Sequence, residues 1–126
     1  MKKQILLIED QPATRKLLSH YLGEFYTITE KATAEEALFW IKEGNFPDAI
    51  VTDILMPEMT GIELHDTLSQ TAPDQAARMV FMSGGAFSEE AARFLAQRPG
   101  RVIDKPFRPA ALRAAVDTAL ERADAA

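Results

Sequence analysis

The chain has 126 residues, with 14 Lys and Arg against 19 Asp and Glu for a formal net charge of −5, and 47% of its residues are hydrophobic. That is enough apolar material for one folded domain and too much for a disordered segment. The absence of cysteine excludes disulfides, thiolate metal sites and cysteine nucleophiles together, and the longest early aliphatic run, Ile5–Ile8, is far short of the roughly 18–20 residues of a membrane span.

In chain order, the segment 4–9 (QILLIE) reads as a strand with consecutive apolar residues. Pro12 suits the first turn of a helix that places Leu17, Leu18, Tyr21 and Leu22 on one face. Segment 26–30 alternates and is more polar, as an edge strand would be. Thr33 and Glu36 have capping-box spacing and open a helix carrying Ala37, Leu38, Trp40 and Ile41, which should end at Gly44-Asn45. Segments 48–53 and 78–83 are further apolar strands, separated by a helical pattern over 61–70. A helix over 88–97, a short strand over 101–104 and a helix over 109–122, with Leu112, Val116, Ala119, Leu120 and Ala123 at helical spacing, complete the pattern. Continuous apolar strands alternating with helices predict a parallel sheet covered on both faces. In such folds ligands bind outside the carboxyl ends of the strands.

Those ends carry Glu9-Asp10 after the first strand, Asp53 after the third, Ser83 after the fourth and Lys105-Pro106 after the fifth. Each residue alone is ordinary, because an Asp after a strand is usually a cap or a solvated turn residue. Together they would gather at one edge of the sheet. Two unit charges about 5 Å apart repel by about 3 kcal/mol at an effective dielectric near 20, so either one carboxyl stays protonated or a cation sits among the three. An all-oxygen cluster without His or Cys suits Mg2+, with Mn2+ as a substitute. With a lysine charge and a serine hydroxyl beside it, the set is suited to a transferring phosphoryl group. Asp53, at the end of the expected central strand, is then the best placed nucleophile.

The pieces ILLIED ending in Glu9-Asp10, DILMPEMTG running from Asp53 to Gly61, Met82-Ser83-Gly84-Gly85 and Lys105-Pro106-Phe107 resemble, in order and over essentially the whole chain, the receiver domains of two-component response regulators. The resemblance implies a flavodoxin-like (βα)5 doubly wound α/β fold over residues 1–126 with parallel strand order 2-1-3-4-5, the established order of that class. It implies that Asp53 is the phosphoacceptor and that Glu9, Asp10, Asp53 and the Leu55 backbone carbonyl hold Mg2+. It further implies that Ser83 and Gly84 contact the phosphoryl group as the switch, and that Lys105 also contacts it, next to a cis peptide bond at Pro106. The implied phosphodonor is a histidine kinase or histidine phosphotransfer domain, and the implied output is a downstream protein partner on the 88–122 face, a homodimer being one option. No turnover enzyme is implied beyond self-phosphorylation and autodephosphorylation.

Two departures stand out. Val102 occupies a position, three before the lysine, where many receivers have an aromatic switch residue. Gly85 lies where a larger residue is common, so Leu55 and Gly85 are expected to set the phosphoryl lifetime. The Gly-Gly pair and the short last strand look more like receivers of hybrid histidine kinases, so a fragment of such a kinase is an alternative. A phosphorylation-independent interaction module on the same fold is another, against which stand the retained acidic pair and lysine. An aspartyl phosphatase would need an acid at position 55, where Leu55 stands.

Other residues have simpler readings. His20 and His65 are isolated and are expected to be solvated or half-buried. Phe39, Trp40 and Phe46 read as packing residues, and the methionines 56, 59, 79 and 82 as core. Pro57 and Gly61 read as turn residues, and Phe94 and Leu95 as a candidate partner surface. With no basic run beyond pairs such as Lys2-Lys3, the chain lacks the clustered charge that neutralises a nucleic-acid backbone. Met1 to Gln4 lacks the apolar stretch of a secretory signal, so a cytoplasmic location without nucleic-acid or membrane partners is expected, with any output passing through protein contacts or phosphotransfer.

Overall fold

Side chains of successive strand residues point to opposite faces of a sheet, so an unbroken apolar run is stable only where both faces are covered. The computed structural model, which describes residues 2–56, 58–84 and 88–125, shows this arrangement. Its elements are β1 (Gln4–Ile8), α1 (Pro12–Leu22), β2 (Thr27–Lys31), α2 (Ala34–Lys42), β3 (Ala49–Asp53), α3 (Gly61–Thr71), α4 (Pro73–Ala76), β4 (Met79–Ser83), α5 (Glu89–Ala96), β5 (Val102–Asp104) and α6 (Pro109–Ala125). All strand pairs are parallel, in the order β2-β1-β3-β4-β5, as expected from the sequence. The short α4, a turn of helix between α3 and β4, has no counterpart among the expected elements.

The central strands divide their side chains between two cores. Ile5 and Leu7 of β1, Val51 of β3 and Val80 and Met82 of β4 pack with Leu18 and Leu22 of α1 and Leu112, Val116 and Ala119 of α6. Leu6, Ile8, Ile50, Met79 and Phe81 pack on the other side with Ala34 and Ala37 of α2, Leu64 and Leu68 of α3 and Leu95 of α5. Full burial of each such Leu, Ile or Phe side chain is worth about 1.5–3 kcal/mol. The edge strand β2 is partly exposed. No helix among the described residues is long and apolar enough to cross a membrane.

Caps set where the helices begin. The Thr33 hydroxyl accepts from the Glu36 amide at 3.1 Å, while the Glu36 carboxylate accepts from Ala32, one residue earlier than a reciprocal box requires. A full reciprocal box occurs at α3, between Thr60 and Glu63. Ser88 caps α5 through the Ala91 amide.

Several side chains depart from their expected settings. Leu17 is 68% exposed, because Leu18 and Leu22, one turn apart, already form the stripe of α1 that faces the sheet. Phe39 is 66% exposed, since it lies about 200° around α2 from the buried Ala37. Phe46 is also exposed, with the Arg78 guanidinium 5.0 Å from its ring, and only Trp40 of the three aromatics packs against the core. Phe94 and Leu95, expected at a partner surface, turn inward on α5 instead. His65 is buried rather than solvated.

Gln75 in α4 is fully buried, and neither its Oε1 nor its Nε2 has a partner among the described residues. An unsatisfied buried polar group costs about 1–3 kcal/mol. Gln75→Met, of similar length, should therefore raise the urea unfolding free energy by about 1–2 kcal/mol; an unchanged or lower value would show that the amide is satisfied by water.

Candidate functional site

The parallel register brings the carboxyl ends of β1, β3 and β4 level with one another: Ile8 pairs with Thr52, and Asp53 with Met82. Asp53 therefore ends the middle strand of the sheet, with Glu9 and Asp10 beside it on one flank and Ser83 on the other. Glu9, Asp10 and Asp53 can each present a carboxylate oxygen within 4.8 Å of the other two. Glu9 is buried, Asp53 nearly so, and Asp10 is partly open to solvent.

Lys105 reaches into this cluster from the loop after β5. Its Nζ lies 2.8 Å from Asp53 Oδ2 and 3.4 Å from Glu9 Oε1. Burial alone would lower the lysine pKa, but the hydrogen bond and charge of Asp53, with Glu9 behind it, more than reverse this and raise it. The Glu9 pKa is raised mainly by burial, with Asp10 and Asp53 adding to the rise and the Gln11 hydrogen bond and the Lys105 charge opposing it. One ammonium thus offsets only part of the negative charge of three carboxylates. Such a donor set, oxygen-only and short of positive charge, fits a hard divalent cation.

The loops that hold these groups are tied down locally. The Gln11 amide donates to Glu9 Oε2 at 3.2 Å, and the Arg15 guanidinium to the Glu9 carbonyl at 2.7 Å, which pins the β1–α1 loop. Asp53 Oδ1 accepts from the Leu55 amide at 3.2 Å, so one carboxylate oxygen is held by backbone and the other by Lys105. The Leu55 side chain is half exposed at the rim. Ser83 is buried with its hydroxyl unpartnered among the described residues, and its carbonyl accepts from the Lys105 amide at 2.6 Å. Gly84 is exposed with open space where a Cβ would stand, and the Lys105–Pro106 peptide bond is cis. Gly85 and Pro57 lie outside the described residues.

Gly61 belongs to the site in a way its sequence context did not reveal. A Cβ there would stand 2.6 Å from the Asp53 carbonyl oxygen and 3.2 Å from the Ile54 Cα. Only glycine lets α3 start this close to the Asp53 backbone. The signal available in the sequence was the Thr60–Glu63 capping box, which places Gly61 at the first helical position.

Two substitutions test this geometry. Gly61→Ala should destabilise the fold by about 1–3 kcal/mol and move the Asp53 and Ile54 backbone resonances; unchanged stability and shifts would contradict the close approach. Lys105→Met should cost about 1–3 kcal/mol at neutral pH in chelator, because it strands buried carboxylates. Glu9 takes up its proton early as pH falls, so that loss should shrink toward pH 5. Urea unfolding at the two pH values checks it, and a pH-independent loss would show that the ammonium does not act on Glu9.

Comparison with known proteins places this geometry in a family. The family model for the response regulator receiver domain matches residues 5–117. The chain is 35% identical over 122 residues to the sensor kinase CckA of Brucella abortus, covering 95% of this chain and 13% of the kinase. It is 34% identical over 106 residues to the response regulator receiver protein CpdR of the same organism, covering 83% of this chain and 86% of CpdR. The solved structure of a CheY-like receiver domain protein from Methanospirillum hungatei is 27% identical, with a TM-score of 0.84 and coverage of 99% of this chain and 98% of that one. The chain spans between 9% and 16% of the length of three of the curated relatives it matches. With a match that extends over nearly all of β1 to α6, the chain belongs to the receiver-domain family of two-component response regulators.

Proposed function

We propose that residues 1–126 form one receiver domain in which Asp53 accepts a phosphoryl group from a phosphohistidine. Receiver domains act with histidine kinases or phosphotransfer partners and bind Mg2+ at an acidic pocket. The observation that carries the reading is the convergence of Asp53, Glu9, Asp10 and Lys105, from the carboxyl ends of three different strands, on one point at the edge of the sheet.

In the proposed step an Asp53 carboxylate oxygen forms a bond to phosphorus while the phosphorus–nitrogen bond of the donor breaks, and the electron pair leaves with the imidazole. Glu9, Asp10, Asp53 and the Leu55 carbonyl would hold Mg2+, which neutralises charge on the phosphoryl oxygens when bound. Lys105 already contacts Asp53 Oδ2, and it would pass to a phosphoryl oxygen as the carboxylate becomes an acyl phosphate. The Ser83 hydroxyl, buried beside the site without a partner among the described residues, would donate to the same group, with Gly84 keeping the approach open. Pre-placed charge of this kind is the main source of catalysis in phosphoryl transfer. Leu55, at the rim, and Gly85 would govern access of water to the acyl phosphate. The shape change would reach a downstream protein through the 88–122 face, and the chain would act on no substrate beyond its own phosphorylation and dephosphorylation.

Incubation with acetyl phosphate and Mg2+ should give a single phosphoryl adduct in the intact mass. The adduct should be absent from Asp53→Asn and from a sample in EDTA. No adduct in the parent protein, with beryllofluoride also failing to bind, would favour a phosphorylation-independent docking module.

A further inference from the structure

His65 takes no part in the acidic site, yet it occupies a joint between three elements. It projects from α3, and its ring centroid lies 5.9 Å from that of Phe81 on β4 and 5.0 Å from that of Phe94 on α5. Phe81 and Phe94 also meet edge to face at 5.3 Å, so the three rings form one cluster. Phe81 is two residues before Ser83 on the same strand, and the cluster spans the interval between that strand and α5. Val102, which replaces the usual aromatic of β5, packs in the same core.

The surroundings of His65 tolerate a neutral ring and oppose a charged one. The side chain is largely withdrawn from solvent, and the charged groups around it are Asp66 on its own helix, Arg98 just after α5 and Arg101 just before β5. Arg98 already lies over the Phe94 ring at 3.7 Å and donates to the Phe94 carbonyl. A proton on His65 would therefore bring a second cation to a ring that holds one. The Asp66 carboxylate, 3.9 Å away and mostly exposed, is screened by water and compensates little. Ser69 offers one hydroxyl, 3.4 Å from Nδ1, which is itself bonded to the His65 carbonyl. Burial, with Arg98 and Arg101 acting in the same direction, lowers the imidazole pKa.

We propose that His65 is a proton-sensitive joint: neutral, it holds α5 against α3 and β4, and on taking up a proton it releases α5. The release is a local opening in which the Phe94 and His65 rings part and the imidazolium reaches water. The linkage has a definite sign. Once exposed, the imidazole regains its ordinary affinity near pH 6.5, while in the closed state it binds protons more weakly, so opening is favoured as pH falls below about 6.5. If the closed state stays unprotonated, the opening constant rises by up to about tenfold between pH 7.5 and 5.5. The joint acts on α5, within the 88–122 region, and does not depend on the phosphoryl chemistry proposed for Asp53.

Two measurements on the unphosphorylated protein in chelator test this. An NMR titration of His65 in the parent protein should give a midpoint below 6.5. Native-state amide exchange, corrected for the intrinsic rate, should show α5 amides opening several-fold more readily at pH 5.5 than at pH 7.5, with α1 amides changing less. His65→Leu should remove that difference, and His65→Gln serves as a second variant. A midpoint at or above 6.5, an α5 response equal to that of α1, or an unchanged response in a folded variant would each overturn the proposal. Should neither variant fold, the titration and the exchange data on the parent protein still decide it.

Discussion

The uncompensated negative charge at the carboxyl edge of the sheet is the constraint around which the site is built. Three carboxylates meet there with one ammonium, and Glu9 is buried enough that its ionised form is disfavoured. Packing alone would not select such a cluster, because polar groups brought into a core cost stability unless they are paired. The rest of the sheet supplies the counterweight. Ile5 to Ile8, Ile50, Val51 and Met79 to Met82 are buried almost completely and hold the strand ends in place. A core of this kind can sustain a site that is itself under electrostatic strain.

The same frame explains why Lys105 takes the position it does. It stands on a loop after β5, a short strand at the sheet's edge, and still reaches Asp53 on the central strand. The contact ties the fifth strand's loop to the third strand across the end of the fourth. That contact lies just before the segment that leads into α6, and Phe81, two residues before Ser83 on β4, packs edge to face on Phe94 of α5.

α5 is held differently from the other long helices. α1 and α6 share an extended aliphatic core, whereas α5 contributes Ala91 and Leu95 and leans on the Phe94 ring cluster for the remainder of its contact. A helix with few buried aliphatic contacts opens at lower cost than its neighbours. The position of a titratable ring in that small interface gives it a weight that the same ring would lack in the larger core.

Much of this protein could be read from its sequence. Strand and helix alternation, the parallel sheet and the gathering of Glu9, Asp10, Asp53, Ser83 and Lys105 follow from local patterns and their succession, while the strand order came from the resemblance to a known family. These patterns depend on near neighbours along the chain, and their periodicities survive whatever packs on top. The tertiary structure alone decided which of two adjacent apolar residues faces inward, so that Leu18 is buried and Leu17 is not, and that Phe39 lies outside while Phe94 turns in. It also decided that Gly61 must be glycine and that His65 is enclosed by rings from two other elements. The enclosure of His65 depends on the distance between segments remote in sequence, as His65 is from Phe94, and the Gly61 constraint on how the chain after β3 folds back against the Asp53 backbone. Burial is a property of the neighbour that covers a residue, and the chain does not carry that neighbour in its local pattern.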